Sequence, residues 1–445
     1  MVSNSISLTA SQQRQIKLEQ ELQQDFQESS SSKEDLSIFR GRCIAVTDNG
    51  FYLANINGIT FFSYTEEELP PENAWITVTR LDNGKITYKI DTPFLADGSD
   101  FRGSAFQRLQ NNDLRMVKLL RDRALFFRGV RNFFDGLGFQ ELHTPTLVES
   151  PGIEKYLEVF STQYQNFDGT HQPFFLPTSP EFSLKEALSS GLPKIYEIAK
   201  CFRNAGECSQ THRPEFFMLE WYRAYEDYSV IMKDCVQLVL YLAGLIYGKT
   251  NVTFRGNTAN LQEYKCFTVK ELFAKEKIEL DYYSQDSERF KKQVRESLSL
   301  SESDCTGLTK EDLFFKVMLD KIEPFLGMDC PTFIHEYPLE MTPLSEKSSP
   351  LYGKRFELYL CGVELANGYG ELVDALEQER RFVQILEERK AVKALPLGFP
   401  LRFIKAMKIG MPPSSGVALG LERLLMILAG TENLGDTLLI DSFSC

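Results

Sequence analysis

The stretch CFRNAGECSQTHRPEFFMLEWY, residues 201–222, gathers arginines, glutamates, a histidine and aromatic rings within reach of one nucleotide. Phe202-Arg203 reads as the end of a strand. Gly206 through Pro214 reads as a turn-forming loop, and Glu215–Tyr222 as the returning strand, rich in β-favouring aromatics. Glu220 and Tyr222 are two apart, so they share a face. With Arg203 that face is expected to line a polar pocket.

At 445 residues the chain can bury one large core and a small additional domain. Nine cysteines without a CxxC pair argue against a zinc site and a disulfide scaffold. The start MVSNSISLTASQQRQ lacks a basic segment followed by an apolar one, so it does not read as a secretory signal. Both points favour a cytoplasmic location. The longest apolar stretch, Leu238–Ile246, reads as too short to cross a bilayer. A net charge of −13 argues against gripping long nucleic acid with the whole surface, but leaves room for a local basic patch.

Three regions follow along the chain. Residues 1–36 read as a flexible or partly helical segment, with Leu18, Leu22 and Phe26 at helical spacing and four serines at Ser29–Ser32. Residues 37–100 read as a small all-β, OB-like barrel. Its short strands are punctuated by Asp48-Asn49-Gly50, Asn57-Gly58 and Asp82-Asn83-Gly84. Five Lys/Arg against seven Asp/Glu between Ile38 and Phe94 leave it without the usual basic face of a nucleic-acid reader. Residues 105–445 read as a mixed α and β domain. It begins with a helix over Asn112–Asp135, whose Met116, Leu120, Phe127 and Phe134 share one apolar face. The fold class is α+β. Residues 227–328 are expected to be mainly helices and loops.

GFQELHTP (138–145) resembles motif 1 of class II aminoacyl-tRNA synthetases, residues 201–222 resemble motif 2, and GVALGLER (416–423) resembles motif 3. GVELANGYGELVDALEQERRF (362–382) resembles the acidic strand and helix of the lysyl branch. TSPEF (178–182), HRPEFFMLEWYRA (212–224) and GMPPSSGVALG (410–420) bring the resemblance closer to the truncated lysyl-tRNA synthetase paralogues that attach (R)-β-lysine to elongation factor P. The resemblance implies an antiparallel sheet flanked by helices, a homodimer built through motif 1, and ATP with Mg²⁺ as cofactors.

It also implies roles for individual residues. Arg203 would fork onto the substrate carboxylate and α-phosphate, and Arg423 would hold the γ-phosphate and cover the adenine; these two form the catalytic pair. Phe216 offers the other adenine face. His212 and Arg213 would lie near the β- and γ-phosphates. Glu207 stands where it could replace the usual motif 2 glutamate, since Ala205 follows Arg203-Asn204 here. Asn204, Glu364, Leu365 and Gly420 complete the ATP set. Glu357 and Glu364 would hold Mg²⁺. Glu220, Tyr222 and Glu371 would take the distal ammonium of a lysine-type substrate, and Ser179 and Glu181 the other amine. Asn367 would orient the carboxylate. Ala418, where lysyl-tRNA synthetases typically carry glycine, points to the β-lysyl branch. The implied activity is ATP-dependent formation of a lysyl or β-lysyl adenylate and acyl transfer to a lysine of elongation factor P. The alternatives are aminoacylation of tRNA and a catalytically silent paralogue that senses amino acid or ATP.

Overall fold

Five short strands do occupy the region after residue 37 in the computed structural model. It describes residues 4–9, 12–13, 16–17, 38–47, 49–55, 58–64, 68–72, 74–81, 84–93, 113–206 and 208–441. Leu18, Leu22, Phe26, the serine run and Glu207 lie outside the described residues. After a two-residue strand, β1 (Asn4–Ser5), come β2 (Ile38–Thr47), β3 (Gly50–Asn55), β4 (Gly58–Ser63), β5 (Trp75–Arg80) and β6 (Ile86–Thr92). Strands β2 to β6 form one antiparallel sheet in the order β4-β3-β2-β5-β6. The first half of β2 pairs with β5 and the second with β3, with a register shift between Cys43 and Ala45. The extra residue bends β2 and increases its twist. Cys43, Phe51, Leu53, Phe62, Ile76 and Val78 form the core inside that bend. The result is the OB-like fold, as an antiparallel half-barrel with no pairing between β4 and β6 among the described residues.

The chain divides into two compact units: Arg14–Leu125 with Gly435–Ser444, and Met1–Gln13 with Phe126–Leu434. A long helix, α1 (Asp113–Gly136), spans the division. The larger unit then runs through β7 (Gln140–Glu141), β8 (Ser161–Gln165), β9 (His171–Phe175), α2 (Glu181–Ser189), β10 (Lys194–Phe202), β11 (Glu215–Ala224) and α3 (Tyr228–Tyr247). Next come β12 (Asn251–Phe254), β13 (Asn257–Asn260), β14 (Glu263–Thr268), β15 (Thr332–Pro338), β16 (Tyr352–Leu360) and β17 (Val363–Gly370). The last elements are α4 (Ala375–Ala391), α5 (Leu401–Gly410), β18 (Ser414–Gly420) and α6 (Leu421–Ala429).

A nine-stranded sheet, β1-β14-β15-β16-β17-β18-β11-β10-β7, organises this unit. It is antiparallel except for β7–β10 and β14–β15. The β16–β17 hairpin turns on Cys361 and Gly362, with φ of 51° and 74°, the paired positive values that match a tight turn to sheet twist. One sheet face is closed by helices. Phe134 of α1 stacks on Tyr196 of β10 at 4.7 Å and meets Trp221 of β11 at 5.2 Å, while Tyr241 of α3 packs on Phe133 at 5.6 Å. Alternation along β11 therefore turns Glu220 and Tyr222 to the other face.

Four sequence expectations change. Residues 227–328 carry β12, β13 and β14 as well as helices. Asn4 and Ser5, expected in a loose tail, pair with Tyr264 and Glu263. Helix α3, 20 residues long, is apolar and long enough to cross a membrane by composition, contrary to the reading of Leu238–Ile246 alone. It is mostly buried in this fold, and its Asp234 receives Arg223 Nε at 2.6 Å. Cys208 is disulfide-bonded, whereas seven other described cysteines are free thiols.

Candidate active site

Strand register brings distant polar residues into rows. Residues directly opposite each other in an antiparallel pair share a face. One row runs Glu357, Asn367, Ala418, Glu220 and Glu197 across β16, β17, β18, β11 and β10. The neighbouring row runs Arg355, Tyr369, Gly416, Tyr222 and Ile195. Glu364 and Asn367 are three apart, which in a regular strand places them on opposite faces. Here Leu358 pairs with Ala366 but Tyr359 pairs with Glu364, so Leu365 is an extra residue. That bulge rephases β17 and returns Glu364 to the face of Glu357 and Asn367.

Above these rows lies a cavity of about 240 Å³. At one end stand the cationic groups. Arg203 follows β10, with its guanidinium 5.3 Å from the centroid of the Phe216 ring. Arg423, in the first turn of α6, donates to Thr211 O at 3.2 Å, Glu364 O at 2.9 Å and His212 Nε2 at 2.5 Å. An arginine only donates, so His212 Nε2 accepts and the ring proton sits on Nδ1, 3.1 Å from the hydroxyls of Ser209 and Thr211. Arg213 is buried and donates to Ser209 O, His212 O and Asn433 Oδ1, so it ties down the motif 2 loop as well as lining the cavity.

Carboxylates dominate the other end. Tyr222 donates its hydroxyl to Glu220 Oε1 at 2.5 Å. Burial pushes the Glu220 carboxyl well above its usual range, and Glu181 adds to the rise. Burial pushes Glu371 up to about 7, although Lys185 pulls it down. Lys185 reaches Glu371 Oε2 at 2.6 Å and Glu181 Oε1 at 2.5 Å. Gly416 makes room for this packing: a Cβ there would lie 2.3 Å from the Tyr222 ring and 2.8 Å from Glu371 Oε1. Gly420, by contrast, would meet nothing closer than its own helix's Arg423 at 3.7 Å.

Among the described residues, four buried polar atoms on this one cavity have neither a hydrogen-bond partner nor an ion pair: Arg203 Nε at the cationic end, and Asn367 Oδ1, Glu220 Oε2 and Glu371 Oε1 along the acidic side. Each such atom costs about 1–3 kcal/mol when left unpaired. One donor facing three acceptors suits a ligand that carries an anionic group and cationic amines.

Residues 105–440 match the model of the tRNA synthetases class II (D, K and N). The chain belongs to this family. It is 33% identical over 345 residues to the lysine–tRNA ligase of Moorella thermoacetica, covering 76% of this chain and 68% of that protein. It is 31% identical over 327 residues to the elongation factor P–(R)-β-lysine ligase of Hamiltonella defensa, covering 72% of this chain and 94% of that protein. For the corresponding Proteus mirabilis ligase the figures are 32% over 320 residues, 71% and 92%.

In this class II synthetase fold the cavity is lined by Ser179, Glu181, Arg203, His212, Arg213, Phe216, Glu220, Tyr222, Glu364, Leu365, Asn367, Glu371, Ala418, Gly420 and Arg423. All were singled out in the sequence. Two others stand outside the lining. Asn204 donates to Val159 O at 3.4 Å and receives Ala205 N at 2.9 Å, so it shapes the loop. Glu357 receives Arg355 at 2.6 Å and the Tyr359 hydroxyl at 2.8 Å. Among the described residues no set of three His, Cys, Asp or Glu forms a metal cage. Mg²⁺ needs only one or two carboxylates when phosphates supply further oxygens. Glu364 lines the cavity and shares a sheet face with Glu357, which fits that need; burial, Glu357 and Glu364 together push the carboxyl of Glu323 up to about 7. Sequence reasoning missed Lys185, Glu323 and the lining residue Glu154. The last is carried on a segment held by Arg389, which donates to the carbonyls of Glu154 and Leu157 at 2.6 and 2.8 Å.

Proposed function

We propose that this chain activates (R)-β-lysine or lysine with ATP and passes the acyl group to a lysine amine of elongation factor P, working as a cytoplasmic homodimer. The observation that carries the reading is the set of unpaired buried atoms, an arginine donor at one end of the cavity and acidic acceptors at the other. The near-complete coverage of the elongation factor P ligases, 94% and 92%, supports this acceptor.

The substrate carboxylate, already ionised at neutral pH, attacks the α-phosphorus, and the bond to pyrophosphate breaks. Arg203 and Arg423 bring the two anions together by fixed positive charge, with Phe216 under the adenine. Glu364 and Glu357 would hold Mg²⁺, which would supply charge neutralisation on the phosphates. Glu220, Tyr222 and Glu371 hold the distal ammonium, Ser179 and Glu181 the nearer amine, and Asn367 orients the carboxylate. The neutral acceptor amine then attacks the acyl carbon, AMP leaves, and the amine's proton passes to solvent.

Transfer to tRNA is the second reading. It is favoured by the OB-like unit, where Tyr52 and Phe61 form an outward-facing ring pair at 4.9 Å. The test offers elongation factor P and total tRNA together, with ATP and labelled (R)-β-lysine or lysine. Label on the protein factor supports the proposal, and label on tRNA alone replaces it with the second reading. No pyrophosphate exchange with either amino acid refutes both.

A further inference from the structure

The acidic end of the cavity already contains an ammonium group belonging to the protein. Lys185 is 2% exposed, and its Nζ lies between Glu181 Oε1 and Glu371 Oε2. Both carboxylates line the cavity, whereas Lys185 stands behind them. It takes one oxygen of Glu371 and leaves the other, Oε1, near Gly416 and without a hydrogen-bond partner among the described residues. The geometry follows from helix α2. Glu181 opens that helix directly after Pro180, and Lys185 is one turn later on the same face.

We infer that Lys185 is a positioning residue for the amine pocket: its ammonium pairs with both Glu181 and Glu371 and fixes their orientation, so that the pocket receives a diammonium amino acid. This deepens the function proposed above and rests on it. Three carboxylates, Glu181, Glu220 and Glu371, converge here with Lys185 as their internal cation. With Lys185 on two of them, the remaining carboxylate oxygens offer acceptors for the two ammonium groups of a lysine-type substrate. Without Lys185 the three carboxylates would face one another in a buried site, and such sites take up protons. A protonated carboxyl is a poor partner for an ammonium. Among the described residues, the titratable groups beside this cluster include the hydroxyls of Tyr222 on β11 and Tyr369 on β17, Glu154 at the cavity wall, and Glu197, opposite Glu220 on β10. None of these is a cation that could take over from Lys185.

The test compares wild type with Lys185→Met in ATP–pyrophosphate exchange across pH 6 to 9.5, using lysine and (R)-β-lysine. Lys185→Gln serves as a second variant, and thermal melting confirms folding of both. The expected result is a KM for the amino acid raised about tenfold to hundredfold, the range of one charge-assisted hydrogen bond, with the KM for ATP unchanged. The acid limb of kcat/KM for the amino acid should also move to higher pH. A folded variant with unaltered amino-acid KM and acid limb overturns the inference. So does an equal rise in both KM values, which marks a structural role. Absence of exchange by the wild type overturns the functional reading instead.

Discussion

Gly416→Ala tests how the acidic end of the cavity is built. The new Cβ would sit 2.3 Å from Cδ1 and Cε1 of Tyr222 and 2.8 Å from Glu371 Oε1. Ordinary carbon contact begins near 3.5 Å, so the ring must retreat by about 1.2 Å. The Tyr222 hydroxyl starts 2.5 Å from Glu220 Oε1. A retreat of that size stretches the bond past the hydrogen-bonding range. Losing a hydrogen bond to a carboxylate removes about 1.5–3 kcal/mol. Amino-acid affinity should therefore fall roughly tenfold to a hundredfold. Overpacking should cost a further ~1–3 kcal/mol of stability. ATP affinity should survive, because the cationic end lies at Gly420, four residues or about 13 Å along β18. Calorimetric titration with lysine and with a non-hydrolysable ATP analogue reads the two affinities separately, and a thermal melt reads the stability. Unchanged lysine binding, or equal loss of both ligands, would refute this account of Gly416.

Five further perturbations probe the rest of the site. Glu371→Gln should weaken the amino acid about tenfold or more while leaving ATP nearly unchanged, as read by separate KM values in pyrophosphate exchange. Glu371 is pushed up to about 7, and only its ionised form pairs with an ammonium, so kcat/KM for the amino acid should fall as pH drops below that value. Exchange at limiting amino acid between pH 5.5 and 9 checks this, and Glu371→Gln should flatten that limb. Arg423→Lys keeps the charge but loses the fork that holds His212 and the Glu364 carbonyl, so the KM for ATP should rise about tenfold or more, seen in the same assay. Chelation of Mg²⁺ should stop exchange, and Glu364→Gln should raise the Mg²⁺ concentration that restores half the rate.

Much of this was legible because its signals are local. The motif 2 hairpin announces itself in consecutive residues: β-favouring aromatics from Glu215 to Tyr222, a polar loop, and two-residue alternation that fixes the faces of Glu220 and Tyr222. The OB-like strands were readable for the same reason, through turn dipeptides such as Asn57-Gly58. What escaped depends on contacts that sequence spacing cannot express. Helix α3 is apolar nearly all round because it is buried, with Tyr241 against Phe133, and burial of that kind resembles a membrane span by composition. Strands β12 to β14 are short and lie among helices, where neighbouring strands rather than local propensity decide the conformation.

Lys185 illustrates the deeper difficulty. A glutamate and a lysine four apart on a helix ordinarily form an exposed pair worth a few tenths of a kcal/mol. Glu181 and Lys185 have that spacing, yet the lysine is buried, because Glu371 approaches from the end of β17 and supplies a second carboxylate. Nothing within α2 distinguishes this pair from a solvated one. The bulge at Leu365 has the same character: it shows only as a register mismatch with β16, yet it decides which face Glu364 occupies. In both cases the residue types were visible and their roles were not. A buried charge takes its function from the partners that the fold brings to it, and for Lys185 the deciding partner, Glu371, lies 186 residues away in the chain.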